Sequence, residues 1–173
     1  MSHKLIKTSI FIGIKPGHVI ETVPKLYNTW TLKLSIILRG TNVADTNILH
    51  ATRYFDSHVK GFLKIDFMAG TTRLRICSPA IALGRSNCVR FFQPFGIGKM
   101  VTITLQRTRS PNGGYDLVIT ADRPFPFKMK FNDPVSRELD DVNVYVSDYW
   151  MTAANAELEA YEFQTAPPAG RYK

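Results

Sequence analysis

MVTITLQRTRSPNGGYDLVITA, residues 100–121, holds two alternating runs on either side of a turn signal. In the first run Met100, Thr102, Thr104 and Gln106 fall on one side and Val101, Ile103, Leu105 and Arg107 on the other, the period of two of a strand with one buried face. The odd positions are expected to face inward, with the strand emerging at Arg107. Between the runs, Asn112-Gly113 suits a type I′ hairpin turn, which needs positive φ at both central positions.

The same period recurs along the chain. It is found in WTLKLSIIL (30–38), GFLKIDFMA (61–69), TRLRICSPAIAL (72–83), CVRFF (88–92), FKMKF (127–131), VNVYVSD (142–148) and ELEAYEF (157–163), all rich in β-branched and aromatic residues. In VNVYVSD, Val142, Val144 and Val146 share the expected buried face, and Asn143 and Tyr145 the other. Turn clusters separate the runs: KPGH, RGTN, MAGTT, ALGRSN, PFGIG, DRPFP and NDPVS. No run carries a helical apolar stripe. Short strands at this spacing predict an all-β, antiparallel β-sandwich of ten or more strands. At 173 residues and 45% hydrophobic the chain suits one domain, expected over residues 1–165 with a C-terminal tail at 166–173.

Charge bounds the partners. The 22 Lys and Arg against 14 Asp and Glu leave a formal +8, which favours polyanions. A nucleic-acid partner is not expected, because the basic residues lack the aromatic interleaving of a nucleic-acid-binding module. The first twenty residues show no leader pattern, and no apolar stretch nears the ~18 residues of a membrane span, so membrane insertion is not expected.

Three stretches, in order, carry a resemblance: HVIETVPKLYNTWTLKLSIILRGTNVADTNILHATR (18–53), RLRICSPAIAL (73–83) and DVNVYVSDYWMTAANAELEAYEF (141–163). Together they resemble concanavalin A-like, laminin-G-type jelly-roll domains of lectin-like proteins. These have a Pro-containing lead-in before a Trp-led strand, an Arg-x-Pro-Ala-Ile strand, and a closing Ser-Asp-aromatic-Trp hairpin. The chain departs in having Cys77-Ser78 before Pro79-Ala80-Ile81 and no aromatic after Ile81. The resemblance implies a jelly-roll sandwich that binds carbohydrates or adhesion partners, in some members with Ca²⁺. Galectins share the sandwich, but their His-x-Asn-Pro-Arg and Trp-x-x-Glu-x-Arg strands are missing here: His50 is followed by Ala-Thr-Arg, and neither Trp30 nor Trp150 has the Glu/Arg spacing.

Catalysis is not expected. The sequence has no nucleophile-elbow, zinc-protease or phosphate-loop motif, and Asp66 in KIDF reads as a lone outward strand acid rather than half of a glycosidase carboxylate pair. The candidate ligand residues are His50, Arg53, Asp56 and His58 in HATRYFDSH, Arg73 and Arg75 alternating on one strand face, and Trp150 in the closing link. A histidine pair without a third ligand makes no metal site. Asp45 and Asn47 offer oxygens to Ca²⁺, but Asx-turn capping explains them more simply, so no cofactor is expected. If neighbouring strands bring Arg85, Arg90, Arg107 and Arg109 to Arg73 and Arg75, one guanidinium-rich face results, suited to carboxylate or sulfate. Cys77 and Cys88 flank a turn and read either as a cross-strand bridge, which would fit an extracellular or secreted protein, or as two buried thiols. Glycans or glycoconjugates are the expected partners, a homo-oligomer being compatible with the reading. The alternative is an extracellular adhesion or structural module with a protein partner.

Overall fold

A computed structural model describes residues 3–53, 62–81, 87–122, 126–147 and 151–167, and the described residues contain strands and no helix. The strands are β1 (His3–Gly13), β2 (His18–Leu26), β3 (Thr29–Leu38), β4 (Thr46–Thr52), β5 (Leu63–Phe67), β6 (Arg73–Cys77), β7 (Cys88–Pro94), β8 (Met100–Arg109), β9 (Tyr115–Ala121), β10 (Phe127–Asp133), β11 (Leu139–Val146), β12 (Thr152–Ala153) and β13 (Ala156–Ala166). One sheet has the order β1-β13-β3-β8-β9-β10 and the other β2-β11-β4-β5-β6-β7, with the short β12 parallel to the start of β4. Every other pairing is antiparallel. The last strand reaches Ala166, one residue into the stretch expected to be tail.

The core lies between the sheets and follows the alternation. Leu32, Leu34 and Ile36 of β3 face Val101, Ile103 and Leu105 of β8 across the ladder and are buried with Leu74 and Ile76 of β6 and Val142, Val144 and Val146 of β11. Trp30 is part of this core, edge-on to Phe62 at 4.9 Å and stacked on Phe163 at 6.4 Å.

Four strands, β1, β2, β4 and the short β12, lie outside the alternating runs of the sequence. β2 contains Pro24, which cannot donate to a ladder and suits only an edge. β2 is that edge, and Asp141 of the neighbouring β11, lying between the paired Asp140↔Lys25 and Val142↔Val23, takes φ 53° opposite the proline. β1 is the edge of the other sheet, paired to β13 with a register shift between Thr8 and Ile12.

The β8–β9 turn is longer than the expected two-residue hairpin. The Gly113 N–H donates to Ser110 O at 3.2 Å and the Ser110 N–H to Gly114 O at 3.1 Å, and positive φ falls on Gly113 (89°) and Gly114 (71°), not on Asn112. Pro111 takes the second position of the turn, where its fixed φ is favoured. At Gly114 a Cβ would lie 2.8 Å from Pro134 Cα, so the close approach of the β10–β11 link also requires glycine.

Candidate ligand-binding face

Strand register turns residues distant in sequence into rows across the outer face of the seven-stranded sheet. Asn47 pairs Asp66, Asp66 pairs Arg75, and Arg75 pairs Arg90, making one row over β4, β5, β6 and β7. A second row runs Tyr145, His50, Lys64, Cys77, Cys88. The intervening Leu74, Ile76, Val89 and Phe91 point into the core, so these rows face away from it.

The first row is an ion-pair network. Arg75 donates to Asp66 Oδ2 from Nε at 3.2 Å and from Nη2 at 2.8 Å, while its Nη1 lies 2.9 Å from Asp45 Oδ2. Asp66 is not the outward acid expected from KIDF. It is 0% exposed, and its Oδ1 accepts from the Asn47 amide at 2.8 Å. Asp45 also accepts the Ala69 N–H at 2.7 Å, which ties the β3–β4 link to the β5–β6 turn. Burial alone would raise the Asp45 pKa, but the Ala69 N–H and the Arg75 charge outweigh it and hold the carboxyl below its ordinary value. Burial likewise opposes the Arg75 charge, yet Asp66 and Asp45 together raise its pKa. Asp45 and Asn47 thus serve as cross-strand and interloop ties rather than as caps of their own turn. Among the described residues no three His, Cys, Asp or Glu side chains gather to hold a metal ion.

The candidate residues separate accordingly. His50 is 0% exposed beneath this face, so its imidazole is not placed for surface ligand contact. Arg53 is exposed just beyond β4, whereas Asp56, His58 and Trp150 lie outside the described residues, as does Arg85. Arg73 is exposed and Arg75 is held by two carboxylates. Cys77 and Cys88 are disulfide-bonded, with Cα atoms 4.0 Å apart, joining edge strand β7 to β6.

The single guanidinium-rich face is corrected by the topology. Arg107 and Arg109 belong to β8 in the opposite sheet. Arg107 does not emerge: at 1% exposure it donates to Asn28 O at 2.8 Å, Asp133 Oδ2 at 2.8 Å and Val135 O at 2.6 Å, and its guanidinium lies 4.2 Å from the Tyr115 ring centroid. Burial lowers its pKa despite Asp133. This is a structural plug joining the β2–β3 turn, β8 and the β10–β11 link.

Arg73 and Arg90 remain exposed on β6 and β7, and neither is ion-paired among the described residues. Phe92, two residues beyond Arg90 on the same face, is 83% exposed. Sequence reading missed Phe92, whose signal was the apolar doublet Phe91-Phe92 breaking the alternation of CVRFF. At the end of β6 a recess of about 470 Å³ opens between the loops, lined by Arg73, Thr41, Thr71, Pro94, Phe95 and Ile97.

No protein-family model matches the chain, and no curated protein matches it. Solved structures do share its architecture. The exoplasmic/lumenal domain of VIP36, in its Ca²⁺/Man2-bound form, superposes with TM-score 0.54 at 10% identity, covering 94% of this chain and 81% of that one. A β-fructofuranosidase from Schwanniomyces occidentalis gives TM-score 0.58 at 12% identity over 94% of this chain and 33% of the enzyme. Trypanosoma rangeli sialidase gives 0.54 at 12% identity over 78% of this chain, which therefore spans only 20% of the sialidase. The order of its strands, the two packed antiparallel sheets and these superpositions agree: the chain has the concanavalin A-like jelly-roll fold.

Proposed function

We propose that this protein is a non-enzymatic lectin that binds acidic or sulfated glycans on the outer face of β6 and β7. The observation that carries the reading is the placement of two exposed guanidiniums, Arg73 and Arg90, around a strongly exposed phenyl ring, Phe92, next to the Arg73-lined recess. A sugar ring presents C–H bonds to an aromatic face, while a guanidinium fork receives a carboxylate or sulfate through paired hydrogen bonds. Arg75 supports the site without sharing its charge, because Asp66 and Asp45 already neutralise it. Those same pairings commit both carboxylates to Arg75, which favours binding over glycosidic cleavage by an acid and base pair. The Ca²⁺/Man2-bound VIP36 domain is consistent with sugar binding on this fold. A bridged Cys77–Cys88 pair suits an extracellular setting.

The test is a glycan array with and without Ca²⁺, together with heparin chromatography of the Arg73→Ala/Arg90→Ala variant. The double variant is expected to elute at clearly lower salt, with the salt dependence of binding reduced by about two charges. Unchanged elution, with no glycan bound above background on the array, would refute the reading and favour the adhesion module with a protein partner.

A further inference from the structure

The opposite sheet carries a second set of rows. On its outer face Lys33 of β3 pairs Thr104 of β8, Thr104 pairs Thr120 of β9, and Thr120 pairs Lys128 of β10. The four side chains line one trough of about 620 Å³, larger than the recess beside Arg73, with Asp122 and Phe127 at one wall. Adjacent strands lie about 4.8 Å apart, so the two lysine Cα atoms stand roughly 14 Å from each other with two hydroxyls between them.

What separates this row from ordinary strand surface is the state of its neighbours. Lys130 is paired with Asp116 at 2.8 Å and Arg39 with Glu157 at 2.6 Å, and Glu162, opposite Lys33 on β13, is paired with Lys4 at 3.8 Å on its other side. Ser35 and Thr102 share a 3.0 Å hydrogen bond, and Asp122 Oδ1 accepts the Thr102 N–H at 2.8 Å. Among the described residues Lys33 and Lys128 are not ion-paired, and the hydroxyls of Thr104 and Thr120 have no hydrogen-bond partner. The Phe127 ring is turned the other way, packed on the core and stacked on Phe91 of the other sheet at 4.5 Å between centroids, so it borders the trough only at the start of β10.

We infer that this trough is a second glycan site, taking a linear acidic oligosaccharide laid across the strands. Two separated ammonium groups fit anionic groups spaced along a chain. The hydroxyl donors and acceptors of Thr104 and Thr120 fit the sugar hydroxyls between them. Asp122 adds a carboxylate that accepts from a hydroxyl and repels a densely sulfated chain, so the favoured ligand has sparse carboxylates rather than continuous sulfation. This rests on the lectin reading for the class of ligand and not for the site. Because the two faces belong to opposite sheets, a single chain with both sites would bridge two glycan strands without oligomerising.

The probe is an octasaccharide of alternating uronic acid and N-acetylhexosamine, with a neutral chito-oligosaccharide and a heparin octasaccharide for comparison, followed by amide chemical shifts and calorimetry. Titration of the uronic-acid octasaccharide is expected to shift Thr104, Thr120 and Lys128, and Lys33→Ala/Lys128→Ala is expected to weaken that site at least tenfold. Thr104→Val/Thr120→Val keeps shape and removes only the hydroxyls, with about a fivefold loss expected. Absence of shifts at these residues, shifts undiminished in the lysine variant, or equal affinity for the neutral oligosaccharide would overturn the inference. Shifts confined to the residues around Arg90 would overturn the second site and leave the first reading standing; none at either face would sink both.

Discussion

Asp133→Ala tests whether the buried Arg107 plug is held by its carboxylate. Asp133 Oδ2 accepts from Arg107 Nη2 and from Arg137 Nε, each at 2.8 Å, and its Oδ1 accepts the Val135 N–H at 3.2 Å. The substitution leaves Arg107, 1% exposed, with carbonyl and amide oxygens but no counter-charge. Breaking a buried pair by removing one partner costs about 3–5 kcal/mol, so about 4 kcal/mol is expected here. For a domain of this size that is a fall in Tm of roughly 8–16 °C. Replacing both partners, Arg107→Met with Asp133→Leu, removes the orphaned charge and should recover most of the loss. The pH dependence has a definite sign. Burial would raise the Asp133 pKa, but Arg137, the Val135 N–H and Arg107 together hold it below its ordinary value. A depressed folded-state pKa contributes stability above the unfolded value of about 4, and that contribution is lost as pH falls through the folded pKa. Urea unfolding of wild type and Asp133→Ala from pH 7 down to pH 2 should therefore converge only below pH 4. A difference under 1 kcal/mol at pH 7, or one that persists unchanged to pH 2, would refute the reasoning.

Three further outcomes follow from the outer face of the seven-stranded sheet. Asp66→Asn should cost about 3 kcal/mol in urea unfolding, because Arg75 keeps only the half-exposed Asp45 as counter-charge; a neutral result would show that Asp45 alone holds the guanidinium. Cys77→Ala/Cys88→Ala should lower stability by about 3 kcal/mol, the unfolded-chain entropy released by opening a closed loop with its ends 11 residues apart. Scanning calorimetry of the pair should then show a Tm lower by roughly 6–12 °C, and an unchanged Tm would mean that β7 is held by packing alone. Phe92→Ala should leave Tm within about 2 °C, since the ring is 83% exposed, while reducing heparin retention less than Arg73→Ala/Arg90→Ala does.

The sandwich was legible because strand alternation is local. Val101, Ile103 and Leu105 declare their face within six residues of sequence, and the three valines of β11 do the same. β2 was lost because Pro24 breaks the pattern of an interior strand, and only the pairing shows that it lies on an edge. Arg107 had the parity of a core position and the chemistry of a surface one. Chemistry misled, because its partners stand at 28, 133 and 135, too far along the chain for any local pattern to connect them. Asp66 failed in the same way. Its partner Arg75 is only nine residues distant, but nothing in the sequence says that β5 and β6 align those two positions opposite each other.

Register therefore decides which charges are paired and which face solvent. Arg73 and Arg75 share a strand face, yet β5 places a carboxylate beside Arg75 and β7 places another arginine beyond it. Like charges directly opposite are destabilising, so an unneutralised Arg75 facing Arg90 would splay the edge strand. Asp66 and Asp45 offset that repulsion from the β6 side, which leaves Arg90 exposed on β7 while the disulfide in the neighbouring row clamps the strand. The acids that looked incidental in the sequence are, on this account, what allows exposed basic residues to stand at the edge of the sheet. Removing them would leave the charge count more favourable to a polyanion and the strand that presents it less well held.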